Sequence, residues 1–178
     1  MSRKMLAVAA FALMAPVAMA QAQLKFGIGA GASVPNGDFS DSNDLGYHFL
    51  ATAGIKPPLA PVGFRVDGMF NQFNFKAPFE DESFRIMGLN ANAVLSMPGA
   101  VVLSPYVIGG VGMYNSKASV AGAESSNDLG VNIGAGISFG LAGFGAFAEL
   151  RFHDIMGDDG SGGTQHLRFI PITFGITM

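Results

Sequence analysis

Leu129-Gly130-Val131-Asn132-Ile133-Gly134-Ala135-Gly136-Ile137-Ser138-Phe139 alternates without a break. Every odd-numbered residue is apolar, and every even-numbered one is glycine, asparagine or serine. Successive side chains of a strand point to opposite faces, so this segment has one greasy face and one small, polar face.

The same period runs outward in both directions. Leu24, Phe26, Ile28 and Ala30 alternate with Lys25, Gly27, Gly29 and Gly31. Tyr47, Phe49, Ala51, Ala53 and Ile55 alternate with His48, Thr52, Gly54 and Lys56; Leu50 departs from the pattern. Val62, Phe64, Val66 and Phe70 face away from Gly63, Arg65, Asp67 and Asn71, and Met87, Leu89, Ala91, Ala93 and Leu95 from Gly88, Asn90, Asn92 and Ser96. Residues 101–115 mix parity, with Val107, Val111 and Met113 on one face and Tyr106 and Ile108 on the other. Ala146, Ala148, Leu150 and Phe152 oppose Phe147, Glu149, Arg151 and His153. Ile170, Ile172, Phe174, Ile176 and Met178 oppose Phe169, Thr173, Gly175 and Thr177. Eight strands are expected.

The spacers alternate in length. Residues 34–45, 72–83, 116–127 and 154–165 are long and polar; 57–61, 97–100 and 140–143 are short. Short turns at one end and longer loops at the other are the pattern of a membrane barrel with both termini on the periplasmic side. Most acids lie in or beside the long spacers, from Asp38 and Asp41 to Asp158 and Asp159, and only Asp67 and Glu149 are expected inside strands. Lipid cannot hydrogen-bond an open sheet edge, so such a sheet must close.

Composition agrees. Mean hydropathy is +0.38, yet beyond residue 20 no apolar run approaches the roughly 18–20 residues of a membrane helix. There is no cysteine, so no disulfide closes the fold. Ser2-Arg3-Lys4, an apolar stretch over 5–18, and the small-x-small Ala18-Met19-Ala20 predict a cleaved signal helix over residues 1–20, with Ala20-Gln21-Ala22 as a second cleavage site. Residues 21–178 are expected to form the barrel domain. Losing Arg3 and Lys4 leaves 8 basic against 13 acidic side chains, a net charge of −5. No basic patch suggests nucleic acid.

Residues 23–178 resemble the small outer-membrane β-barrel family, the OmpA/OmpX-like single-domain barrels. The resemblance is carried by residues 24–31, by Pro105-Tyr106-Val107-Ile108-Gly109-Gly110-Val111-Gly112, by Asn132-Ile133-Gly134-Ala135-Gly136, by Phe147-Ala148-Glu149-Leu150-Arg151-Phe152 and by the closing run 169–178. It implies an all-β, eight-stranded antiparallel up-and-down transmembrane barrel in the cell outer membrane. The implied contacts are outer-membrane lipid and lipopolysaccharide, the barrel assembly machinery during biogenesis and an extracellular partner at the loops. A monomer without cofactor or metal is expected. Family members usually end in Phe, whereas this chain ends in Met178.

Lys25, Arg65, Asp67, Glu149 and Arg151 share lumen parity and are expected to form an ion-pair network, because buried charges need partners. An eight-stranded barrel is just wide enough for side chains to fill it, so a structural or interaction role is favoured over a small porin or transporter. His48, His153 and His166 map to the outer rim. A lipid hydrolase would need a base beside an activated nucleophile, and the sequence has no His-x-Ser pair, so no enzyme is expected. The run from Asp154 to Gly162 reads as a flexible acidic loop, not a calcium loop. Gly27-x-Gly29 and Gly110-x-Gly112 lack the strand-to-helix setting of a nucleotide site. Pro105 and Pro171 predict bulges or strand starts. Tyr47, Phe49, Phe64, Phe70, Phe144, Phe152 and Phe174 are candidates for interfacial girdles. The rival fold is a soluble lipocalin-like ligand carrier, with its apolar face turned inward.

Overall fold

In a computed structural model the described residues are 23–57, 60–78, 81–97, 103–120, 122–141, 144–158 and 164–178. The expected signal segment lies outside them.

The alternating segments become eight strands: β1 (Gln23–Asn36), β2 (Gly46–Lys56), β3 (Val62–Asn74), β4 (Ser83–Ser96), β5 (Leu103–Ala118), β6 (Ser126–Leu141), β7 (Phe144–Asp158) and β8 (Thr164–Thr177). Each pairs antiparallel with its sequence neighbours, and β8 closes on β1. Register partners can be followed around the wall from Lys25 through Gly54, Arg65, Asn92, Gly110, Asn132, His153 and Phe169. The path returns to β1 at Pro35, ten residues beyond its start at Lys25. Ten residues at about 3.3 Å, against eight strands about 4.8 Å apart, tilt the strands by roughly 40°.

The greasy parity faces out. Phe26 is 52 %, Val131 45 % and Leu150 52 % exposed, while Asp67 is fully buried inside. That inverts the arrangement of a soluble ligand carrier. On β6 the apolar face runs from Leu129 to Phe139. Ten residues at this tilt span about 25 Å, the height of an outer-membrane apolar band. Phe26, Phe64, Phe144 and Phe174 are exposed around the end that carries the chain termini. Tyr47 and Phe49 are exposed near the other end, with the Tyr47 ring 5.9 Å from Phe49 and 6.4 Å from Phe70.

Several expectations change. The ladders climb past the expected strand ends, because polar residues such as Asn74 and Ser83 pair as readily as apolar ones. The outer connections shrink to 37–45, 75–82, 119–125 and 159–163, the last outside the described residues. Asp128, Asp154 and Asp158 therefore lie within strands as well. Neither proline makes a bulge. Pro105 is the third residue of β5. At Pro171 the β7–β8 ladder lapses between Leu150↔Ile172 and His153↔Phe169 and resumes in the same register. A missing N–H costs a bond there without inserting a residue. Leu50, Tyr106 and Ile108, which break the simple alternation, are lumen residues buried to 5 %, 6 % and 2 % exposure.

Candidate functional site

The polar parity of β3, β4, β5 and β7 converges in the lumen. Arg65 Nη2 donates to both oxygens of Glu149, at 2.8 and 2.9 Å. Arg65 Nε lies 2.9 Å from Asp67 Oδ1, an ion pair not aligned as a hydrogen bond. Arg151 donates from Nη1 to Asp67 Oδ2 at 2.9 Å, and from Nε to Glu149 Oε1 at 3.0 Å. Its Nη2 also contacts Glu149. Tyr106 Oη gives Glu149 Oε2 a 2.8 Å bond, and Asn92 Nδ2 gives Asp67 Oδ2 another. Two cations and two anions thus neutralise one another where unpaired charge would cost several kcal/mol.

The structure brings Arg65, Asp67, Glu149 and Arg151 together. Lys25 stands apart. It is exposed at the end of the lumen nearer the termini and ion-pairs with no carboxylate among the described residues. Sequence reading misses Tyr106 and Asn92, although both have lumen parity.

A second polar tier follows. Tyr114 donates to Asn90 Oδ1 and meets His153 Nδ1 at 2.8 Å. Ser33 Oγ lies 3.0 Å from His48 Nδ1 and donates to Asn71 Oδ1 at 2.8 Å, while His48 Nε2 lies 2.9 Å from Thr173 Oγ1. His48 and His153 are therefore buried in the lumen, not solvated at the rim. Their parity points inward; counting residues from the loops points the wrong way. Only His166 is at the rim, 2.7 Å from Asp154 Oδ1. Asp154 also pairs with Arg168 at 3.2 Å, so it belongs to the β7–β8 wall and not to a free loop. Ser33 and His48 form a serine–histidine contact that the sequence hides. Ser33 donates to Asn71 Oδ1, and the imidazole tautomer sets which partner donates in the Ser33–His48 contact.

The far end is closed by aromatics. A short helix, α1 (Phe39–Ser42), folds Phe39 over the mouth, 5.0 Å from Phe73 and 5.4 Å from Phe84. Phe73 meets Phe169 at 5.7 Å, and Phe169 stacks on His153 at 4.9 Å. Lys76 Nζ, donating to Ser40 O at 2.6 Å, ties the next loop to this lid.

A closed antiparallel cylinder with an apolar wall, aromatic ends and an ion-paired interior is a transmembrane barrel. The profile of the outer membrane protein beta-barrel domain family matches residues 5–167, and the chain belongs to that family. Its place is the outer membrane. Among solved structures it is similar to Neisserial surface protein A, with TM-score 0.71 and 15 % identity over 88 % of this chain and 97 % of that one. It is similar to Ail of Yersinia pestis, solved with the heparin analogue sucrose octasulfate, with TM-score 0.61 and 14 % identity over 89 % and 99 %. A major outer membrane protein of Thermus thermophilus gives TM-score 0.53 and 15 % identity over 86 % and 98 %. A comparison with curated protein sequences found no match.

Proposed function

We propose that the protein is a monomeric, plugged outer-membrane scaffold without enzymatic activity, whose acidic outer loops and outer wall make its contacts. One observation carries this reading: Arg65, Asp67, Glu149 and Arg151 cross-link the lumen. An eight-stranded barrel leaves little room beside such side chains. Planar-bilayer recording tests it. No stable single-channel current is expected; a steady current from the wild type overturns the plug and favours the small-porin alternative.

Asp38, Asp41, Asp44, Asp81, Glu82 and Glu124 give the outer loops their negative charge, which favours a cationic partner. Protease treatment of intact cells should cut these loops. Family membership supports insertion by the barrel assembly machinery. Residues 1–20 act as the leader and 21–178 as the mature chain, which the mass of the purified protein checks.

Lipopolysaccharide is the proposed wall ligand. Arg85 and Lys117 are register partners and share the parity of Met87 and Met113, both outward. Like charges directly opposite each other destabilise a ladder unless an anion lies between them. Neither is in an ion pair among the described residues. The likeness to Ail carries the fold; this pair carries the ligand argument.

A further inference from the structure

The lumen is closed at its outer end but opens at the end bearing the termini into a cavity of about 240 Å³. Its cations come from three adjacent strands. Lys25 on β1 and Arg65 on β3 are both register partners of Gly54 on β2, and Lys56 lies two residues beyond Gly54 on the same face. Glycine in the middle matters. A Cβ on Gly54 would sit 3.3 Å from Phe64 O and 3.5 Å from Arg65 Cγ, filling the gap between the two cationic strands. Thr52, Ser96, Ser104 and Thr177 add hydroxyls to the lining.

The charges do not cancel. Asp67 and Glu149, one tier deeper, are occupied by Arg65 and Arg151. Lys25 and Lys56 have no carboxylate partner among the described residues. No carboxylate is among the residues that line this cavity. Two lumen ammonium groups are thus left to whatever enters from the periplasm.

We propose that this vestibule is a dead-end anion site that takes a phosphate group, held by Lys25 and Lys56 with the hydroxyl ring around it. The volume falls below the roughly 300–1,000 Å³ of drug-sized ligand pockets, which limits the ligand to a phosphate and a small substituent. Ammonium-to-oxyanion bonds are roughly twice as strong as neutral ones, and low-dielectric walls reinforce them. The site goes beyond the scaffold reading and stands whether or not the outer wall binds lipopolysaccharide. The phosphate is either a free phosphate-bearing solute or the headgroup of a phospholipid bent in from the inner leaflet.

The test uses the full mature chain, refolded in octyl glucoside, which carries no phosphate. Inorganic phosphate is titrated while backbone amide resonances are followed. Saturable shifts are expected at residues 25, 54, 56 and 65. Binding should weaken about tenfold or more in Lys25→Gln/Lys56→Gln and persist in Lys25→Arg/Lys56→Arg. Heat-modifiable mobility checks that each variant folds; if the double Gln variant does not, the single Gln variants carry the comparison. The two sources separate in nanodiscs. With phosphatidylglycerol present, a headgroup occupant produces the shifts before phosphate is added; a free solute site still titrates. Either result supports the site. It is overturned if the wild type gives no saturable shift in micelles or nanodiscs, or if the Gln variants shift as the wild type does.

Discussion

Arg65 on β3 and Glu149 on β7 stand four strands apart in a ring of eight, and their side chains meet across the axis at 2.8 Å. The contact ties opposite walls of the barrel together. Removing one partner leaves buried charge uncompensated, so Glu149→Gln should cost about 3–5 kcal/mol in reversible urea unfolding from lipid vesicles. The paired variant Arg65→Met/Glu149→Gln should cost less than the sum of its singles, with a coupling of about 0.5–3 kcal/mol. Additive effects would mean that the two groups do not act on each other.

Packing inside the cylinder sets a second limit. A Cβ at Gly175 would overlap Phe147 Cε1 and lie 2.5 Å from Ile28 O. The ring could swing aside, but the carbonyl belongs to the β1 ladder. Gly175→Val should therefore block closure and abolish heat-modifiable migration, and adding Phe147→Ala should not restore it. Gly68 faces open space, so Gly68→Ala should migrate as the wild type does.

Period two, spacer lengths and the resemblance make the strand count, the closure and the outward face legible in the sequence. Parity alone also places Arg65, Asp67, Glu149 and Arg151 inside. It cannot distinguish depth along the axis. That is why parity groups Lys25 with charges from which it is separated, and why loop counting puts His48 and His153 at the rim. Contacts between distant strands are invisible for a related reason. Ser33 and His48 meet only because β1 and β2 pair as Gly31↔His48, and periodicity within one strand carries no cross-strand register. Phe39 reads as an ordinary loop residue. Its burial depends on Phe73 and Phe84, which come from two other strands.

The outward face makes a depth-dependent prediction. Ile133 is 67 % exposed near the middle of the β6 apolar run. Ile133→Arg should destabilise the protein in vesicles by about 2–4 kcal/mol, and Tyr47→Arg, near the outer end, by only about 0–1 kcal/mol. Unfolding titrations of both in one lipid would check the ordering. Equal costs would contradict the position of the apolar band derived from the tilt.

The outer wall offers a test specific to the lipid ligand. Arg85 and Lys117 oppose each other, with Gln72 as the next register partner of Arg85. Arg168, by contrast, already has Asp154 at 3.2 Å. An anion bridging Arg85 and Lys117 removes their repulsion and adds two attractions, so lipopolysaccharide should raise the temperature at which the folded gel band is lost. That rise should be mostly absent in Arg85→Gln/Lys117→Gln and largely kept in Arg168→Gln. Because Lys117 is exposed and Arg85 only half-buried, about 1 M salt, with a Debye length near 3 Å, should reduce the wild-type gain as well. If the double Gln variant gains as much as the wild type, the basic pair is not the lipid contact and the repulsion between Arg85 and Lys117 is relieved some other way.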